Sequence, residues 1–140
     1  MMYVLDTCVV SELRKVRSGR ADPGVAAFEK TVDASALFLS AVTIFELELG
    51  ILALERKDAA QGSVLRAWLE KNVLPEFSSR TLPVDVAVAR RCARLHVPDR
   101  RSERDALIAA TALVHGMSVV TRNVADFEPI GVAIINPWAG

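Results

Sequence analysis

Short runs of apolar residues, each ended by polar residues, alternate along this chain with longer segments in which apolar residues recur every three or four positions. Consecutive apolar positions are typical of strands that are buried on both faces of a parallel sheet. The runs predict strands at residues 3–5, 36–39, 80–84, 118–121 and 132–135. Pro83 limits the third strand to an edge or an end of the sheet, because proline cannot donate a ladder hydrogen bond.

The longer segments predict helices at residues 9–15, 25–32, 42–54, 58–73, 86–95 and 104–115. The last helix is apolar almost all round, so we expect it to be buried on most sides, and Gly116 suits its C-terminal end. Alternating strands and helices indicate an α/β fold with a parallel sheet covered on both faces. No repeat or linker divides the 140 residues, and we expect residues 1–140 to form one domain.

Composition excludes several classes of protein. With 51% hydrophobic and 24% charged residues, the chain is not intrinsically disordered. No apolar run approaches the roughly 18 residues of a membrane span, and the segment 1–6 lacks the basic start of a signal peptide. We therefore expect a cytoplasmic protein without membrane contact. Cys92 is expected in the core, and His96 and His115 at the surface or at helix ends, so a zinc site is not indicated.

Four acidic residues fall where strands end or helices begin. Asp6 follows the first strand, Glu46 follows the second, Asp105 lies in the first turn of the buried helix, and Asp126 follows the fourth strand. Because the carboxyl ends of parallel strands meet at one edge of the sheet, we expect these acids to converge. Converging carboxylates repel one another unless a hard cation neutralises them, and oxygen-only ligands favour Mg²⁺ or Mn²⁺. Such ions typically serve phosphate chemistry.

Each acid also has a purely structural interpretation. Asp6 can cap the helix that follows it, and Asp126 can close a turn after Asn123. The segments 43–46 and 102–105 both fit the capping-box pattern. Capping needs no particular edge of the sheet, whereas all four acids fall on the same expected edge. This coincidence favours a shared site.

Four segments, Val4–Glu12, Leu39–Ile51, Asp105–Ala112 and Thr121–Phe127, occur in the order of the signature blocks of a known family. They resemble those of PIN-domain ribonucleases, in particular the VapC-type toxins of bacterial toxin–antitoxin pairs, including the FitB-like branch. The resemblance implies a three-layer α/β/α sandwich with a central parallel sheet of about five strands. It also implies a Mg²⁺- or Mn²⁺-dependent endoribonuclease that acts as the toxin of such a pair.

The resemblance assigns roles to individual residues. Asp6, Glu46 and Asp105 match the acidic catalytic and metal-binding residues of the family. The polar residues that orient those acids or their waters match Thr7, Ser11, Ser40 and Thr121.

Two positions depart from the family pattern. Cys8 stands where asparagine is commonest, and Asn123 stands where many members carry a fourth acid. We assign the role of the fourth catalytic and metal-binding acid to Asp126, with Asn123 as its polar neighbour or its replacement. The departure leaves open an alternative function, a catalytically weak PIN-like module that acts by binding RNA or protein.

The resemblance further implies an RNA substrate, a cognate antitoxin, a homodimer, and DNA contact only through the antitoxin. Residues 44–76 hold more apolar surface than one sheet face can absorb, which is typical of interfaces. Acids and bases balance at 17 each, yet residues 80–104 hold seven arginines against three acids. From this basic segment, which begins at Arg80, we predict RNA-phosphate contacts by Arg94, Arg100, Arg101 and Arg104.

Overall fold

Five parallel strands form one sheet in the computed structural model, which describes residues 1–139. The strands are β1 (Tyr3–Leu5), β2 (Leu37–Ser40), β3 (Thr81–Leu82), β4 (Ser118–Val120) and β5 (Ile134–Ile135). Their order across the sheet is β3-β2-β1-β4-β5, and every neighbouring pair is parallel. Because the chain leaves β1 for β2 on one side and later adds β4 on the other, the switch point of the topology lies beside β1. Crevices at such points are where open α/β sheets bind ligands.

Helices connect the strands. They are α1 (Thr7–Leu13), α2 (Pro23–Thr31), α3 (Ala41–Lys57), α4 (Ala59–Trp68), α5 (Leu74–Glu76), α6 (Val86–Leu95), α7 (Glu103–His115) and α8 (Val124–Phe127). α7 ends at Gly116, which adopts a left-handed conformation (φ 67°) as predicted.

The sheet separates two hydrophobic cores, which confirms the expected three layers. Leu5 and Leu39 pack on one face with residues of α1 and α3. Val4 and Val119 pack on the other face with the apolar side of α7. Since α7 is buried between the sheet and α6, its small residues, such as Ala106 and Ala110, allow close packing on both sides.

One predicted helix differs from its expected form. The α-helical part of residues 58–73 stops at Trp68, and a π-helical segment, Leu69–Val73, leads into α5. The Leu74 N–H donates to the Leu69 carbonyl, five residues back. Pro75 follows immediately, and it cannot donate to an earlier turn, which accounts for the wider turn at this place.

Two predicted strands are shorter than expected. β3 keeps only Thr81 and Leu82 and lies at the edge of the sheet, as Pro83 predicted. β5 keeps only Ile134 and Ile135 and forms the opposite edge. Within residues 1–139, no helix is both long and apolar enough to cross a membrane.

Candidate active site

Asp6 lies at the carboxyl end of β1 with 4% of its surface exposed. Its Oδ1 accepts the Thr7 N–H at 2.8 Å, so the aspartate does cap α1. Its Oδ2 accepts the Thr121 hydroxyl at 2.8 Å, and its own N–H donates to the Val120 carbonyl at 2.9 Å. Hydrogen bonds from β4 and α1 thus fix one carboxylate at the switch point of the sheet.

Glu46 lies in the second turn of α3 and contacts two other helices. The Thr7 hydroxyl donates to its Oε1 at 2.5 Å, and the Arg104 guanidinium lies 3.6 Å from its Oε2. The expected capping box of residues 43–46 is wrong, because α3 starts earlier and Ser40 is its N-cap, accepting the Val42 N–H at 3.0 Å. The Glu46 carboxylate is therefore held by tertiary contacts and not by its own helix.

Asp105 lies half-buried in the first turn of α7. Burial, followed by the negative charges of Asp6, Asp126 and Glu46, raises its pKa from 3.8 to about 6, against a smaller opposing effect of the Ser102 hydroxyl. Ser102 makes no side-chain capping hydrogen bond to α7, so the capping box expected at residues 102–105 does not form. After burial, the charges of the three other acids predicted from the sequence contribute to this rise, so all three lie near enough to act on Asp105.

Asp126 is exposed in the first turn of α8, close to Asp105. The turn before it is closed by the backbone, since the Asp126 N–H donates to the Asn123 carbonyl at 3.1 Å. Asn123 makes no side-chain capping bond, and its N–H donates to the Thr121 hydroxyl oxygen at 2.9 Å. The side chains of Asn123 and Asp126 are thus not used to close the turn.

Cys8 occupies the position at which the family pattern has asparagine. Its Sγ donates to Asp6 Oδ2 at 3.7 Å and lies 3.9 Å from the Thr121 hydroxyl oxygen. Burial, together with the charge of Asp6, raises the pKa of the Cys8 thiol. The protonated thiol therefore makes a weak version of the hydrogen bond that an amide would donate.

The predicted polar neighbours lie around the acids but act in different ways. Thr7 and Thr121 bond directly to Glu46 and Asp6. The Ser40 hydroxyl is used in capping α3, and Ser11 is exposed on α1, in a groove of about 330 Å³ that Thr7 and Glu46 also line. One contributor was not predicted. The hydroxyl of the buried Thr43 lies 3.3 Å from the Thr7 hydroxyl, whose single hydrogen is donated to Glu46, and no local pattern marks that contact.

The predicted RNA-binding arginines fall into two groups. Arg100, Arg101 and Arg104 surround the start of α7, beside Asp105. Arg94 is exposed on α6 and lines a separate shallow groove.

Arg104 is stacked 5.0 Å above the Phe45 ring, and Arg100 pairs with Glu103 at 3.2 Å. Arg80 does not belong with these residues. Its guanidinium donates to the carbonyl oxygens of Ala34, Leu37 and Glu76, so its role is structural.

The four acids are the side chains that would hold a metal ion at this site. Within the described part of the chain, no three Asp, Glu, His or Cys side chains form a group that already encloses an ion. The four acids nevertheless supply only oxygen donors, and burial together with the charges of the other three raises the pKa of Asp105. Oxygen donors and uncompensated negative charge fit a hard divalent cation, and the same repulsion opposes closer approach of the carboxylates without one.

Comparisons with known proteins agree with this geometry. The family model of the PIN domain matches residues 3–130. The chain is 39% identical over 142 residues to "VapC ribonuclease Y4jK" of Sinorhizobium fredii, covering 98% of each chain. It is 37% identical over 144 residues to "Toxin FitB" of Neisseria gonorrhoeae, covering 98% of this chain and 99% of that protein.

Solved structures give the same result. The crystal structure of FitAcB from Neisseria gonorrhoeae superposes with a TM-score of 0.87 at 34% identity, covering 98% of this chain and 99% of the other. The structure of FitAB bound to an IR36 DNA fragment gives a TM-score of 0.86 at 33% identity over 98% of this chain and 96% of the other. With its parallel five-stranded sheet and the acids at the switch point, the chain belongs to the PIN domain family.

Proposed function

We propose that this protein is the toxin of a toxin–antitoxin pair and acts as a Mg²⁺- or Mn²⁺-dependent endoribonuclease in the cytoplasm, where its RNA substrate is found. Two hydrogen bonds carry the proposal, because they join the adjacent residues Asp6 and Thr7 to two elements that are distant in the sequence. Asp6 is bonded to Thr121 after β4, and Thr7 is bonded to Glu46 on α3. The names of the VapC and FitB relatives support both parts of the proposal.

Asp6 and Asp105 would hold the metal ion, with Glu46 and Asp126 contributing directly or through water. A bound Mg²⁺ or Mn²⁺ supplies a water of lowered pKa and neutralises charge on the scissile phosphate. Such a reaction needs no histidine base, and among residues 1–139 the hydrogen bonds of His96 go to Cys92 and Arg101.

The remaining polar residues would orient the acids and the substrate. Thr121 and Thr7 keep Asp6 and Glu46 in fixed positions, which second-shell hydrogen bonds commonly do for metal ligands. Arg101 and Arg104, which precede Asp105 by four residues and one residue, would contact phosphates beside the scissile one. In the structure the Arg104 guanidinium pairs with Glu46, so an RNA phosphate and the Glu46 carboxylate would both contact this guanidinium.

Cleavage of RNA by the purified protein tests this function. We expect hydrolysis with Mg²⁺ or Mn²⁺, none with EDTA, and a loss of several orders of magnitude in Asp6→Asn and Asp105→Asn. Asp33→Asn is the matched control, because Asp33 caps a turn that precedes the amino end of β2, away from the carboxyl ends where the site lies, and asparagine caps equally well. Full cleavage by either site variant would overturn the assignment.

The alternative function, a catalytically weak module, predicts a different result in the same experiment. The protein would bind RNA or a partner, and cleavage would not rise with metal. Asn123 is the residue that favours this alternative, since a neutral amide replaces a charged ligand. Sequencing RNA ends from cells that make the protein would identify cleavage sites if the nuclease proposal is right.

The partners would bind the apolar faces of α3 and its neighbours. Phe45, Leu49 and Leu52 are each about half exposed and line an open apolar groove of about 480 Å³. Exposed apolar patches of this kind mark protein interfaces. We assign this face to a homodimer and the groove between α1, α3 and α4 to the antitoxin, the only component expected to touch DNA.

Light scattering tests the dimer. We expect a dimer at micromolar concentration, and a monomer for Leu49→Glu. Val86→Glu, which also replaces an exposed apolar residue but lies on α6, should leave the dimer intact. A wild-type monomer at that concentration would contradict the proposal.

A further inference from the structure

His96 ends α6 and binds the backbone of the loop that leads to the site. Its Nδ1 accepts the Arg101 N–H at 3.0 Å. The loop of residues 97–102 thereby returns to the end of α6 just before α7 begins. The hydrogen bond fixes Arg101 four residues before Asp105.

The contacts of the ring define its tautomer. An imidazole nitrogen that accepts carries no hydrogen, so the neutral ring has its hydrogen on Nε2. That nitrogen lies 3.8 Å from the Sγ of Cys92, one turn earlier on α6. Burial and the negative charge of Glu103 raise the pKa of the Cys92 thiol, so the sulfur stays uncharged and accepts weakly from Nε2–H.

The side chain of Arg101 has an unusual environment for a surface arginine. It is half-buried, and its Nε has no hydrogen-bond partner among residues 1–139. Its neighbours Arg100 and Arg104 are paired with Glu103 and Glu46, whereas Arg101 forms no ion pair in the described part of the chain. The Nε is itself buried, so the rest of this guanidinium, which has no ion-pair partner, suits a phosphate oxygen, which accepts strongly from such a group.

We propose that His96 is a positioning residue for RNA binding, whose neutral Nδ1 holds the loop so that Arg101 presents its guanidinium to a phosphodiester of the RNA beside Asp105. This inference rests on the proposed function for its ligand and on the structure alone for the hydrogen bond.

Protonation of His96 removes the acceptor. An imidazolium carries hydrogens on both nitrogens, so it cannot accept the Arg101 N–H. A ring that cannot accept this hydrogen bond would release the loop, so the position of Arg101 depends on the acceptor at Nδ1.

Two substitutions of His96 distinguish the loss of the hydrogen-bond acceptor from the loss of the imidazole ring. Asparagine places its amide oxygen near the position of Nδ1, so His96→Asn should keep the hydrogen bond. His96→Leu keeps bulk and loses the acceptor. His115→Asn is the matched control, because His115 is exposed in the last turn of α7.

Binding of a short labelled single-stranded RNA, measured in EDTA so that no cleavage occurs, gives the first result. At about pH 7.5 and low salt, we expect His96→Leu and Arg101→Ala to bind about five- to tenfold more weakly than wild type. Each should flatten the salt dependence of log K by about 0.7, the share of one phosphate contact. The double variant should bind no more weakly than Arg101→Ala, because both changes remove the same contact. His96→Asn and His115→Asn should bind like wild type.

Additive effects of His96→Leu and Arg101→Ala would overturn the proposal, because they would show that the two changes remove different contacts.

Amide hydrogen exchange tests the hydrogen bond without RNA. The backbone N–H of residue 101 should be protected from exchange in wild type, in Arg101→Ala and in His96→Asn. It should exchange freely in His96→Leu. If wild type shows this protection but binds no RNA, the proposed function fails while the hydrogen bond stands. If the amide is equally protected in His96→Leu, with an unchanged melting temperature, His96 does not position the loop.

Discussion

The Thr121 hydroxyl donates to Asp6 Oδ2 at 2.8 Å across the boundary between β4 and β1, although 115 residues separate the two in sequence. The direction of this bond is fixed, because a carboxylate oxygen only accepts. The same hydroxyl oxygen accepts the Asn123 N–H at 2.9 Å. One buried threonine therefore orients the carboxylate at the switch point and the turn that leads to Asp126.

Two substitutions of Thr121 distinguish the effect of losing its hydroxyl from the effect of changing its bulk. We expect Thr121→Val to lower metal affinity or cleavage rate about 10- to 100-fold, the usual cost of losing a second-shell bond. Thr121→Ser, which keeps the hydroxyl, should retain most activity. Single-turnover RNA cleavage at several Mg²⁺ concentrations measures both quantities, and equal rates for the valine variant and wild type would contradict the role of this bond.

Asp105 should make stability depend on pH in an unusual direction. Its pKa is about 6 in the folded protein against an ordinary value of 3.8, so the folded state binds more protons between these values. Its contribution to stability is therefore present below about pH 4 and is lost as the pH rises through 6. Without metal, Asp105→Asn should raise the free energy of unfolding at pH 7 by about 1–2 kcal/mol after solvent screening.

Denaturant unfolding in EDTA at about pH 7 and pH 4 measures this effect. The gain from Asp105→Asn should be largest at pH 7 and small at pH 4. Asp33→Asn, which removes a negative charge before the amino end of β2, controls for the change in net charge. A variant that is destabilised at pH 7 would contradict the cost that burial and the neighbouring charges impose on the charged form of Asp105.

Metal binding should depend on the same proton. Below about pH 6 a proton occupies Asp105 and competes with the cation for its oxygens. We expect the rise in melting temperature on adding Mg²⁺ or Mn²⁺ to be clear at about pH 8 and to shrink towards pH 5. Asp105→Asn should abolish this pH dependence, and an equal rise at both pH values in wild type would exclude Asp105 as a ligand.

The fourth ligand can be assigned by two alanine substitutions on α8 and its N-cap. The charge of Asp126 reaches Asp105, since it contributes to the raised pKa there. We therefore expect Asp126→Ala to weaken metal binding and cleavage, and Asn123→Ala to retain both. Isothermal titration with Mn²⁺ measures the affinity. Normal affinity in Asp126→Ala together with its loss in Asn123→Ala would reverse the assignment.

Sequence patterns predicted the features of this fold that follow from local apolar runs. A run of three apolar residues that stops at Asp6 already predicts a buried strand with an acid at its end. Parallel pairing then brings such ends together regardless of the distance along the chain. The edge position of β3 followed from Pro83, and the end of α7 followed from Gly116.

Contacts between distant side chains had no local signal. The Thr7–Glu46 bond joins residues 39 apart, and the segment 43–46 instead matched a capping box that does not form. The wrong expectation arose because α3 begins directly at the end of β2, where Ser40 takes the capping role. Arg80, which begins the basic segment, had no local signal of its structural role either, since three backbone carbonyls from other parts of the chain use its donors.

Two glycines should respond in opposite ways to alanine. Gly24, in the first turn of α2, lies against the C-terminal turn Pro137–Ala139, and a Cβ there would stand 2.1 Å from the Pro137 carbonyl oxygen. Since real Cβ atoms do not approach so closely, Gly24→Ala must displace the C-terminal turn from α2, at a cost of about 1–3 kcal/mol. Gly50 lies exposed inside α3 with open space around it, and alanine there should stabilise the protein by about 0.5–1 kcal/mol. Thermal and denaturant unfolding of both variants measures the difference, and a neutral Gly24→Ala would mean that the C-terminal turn is not packed on α2.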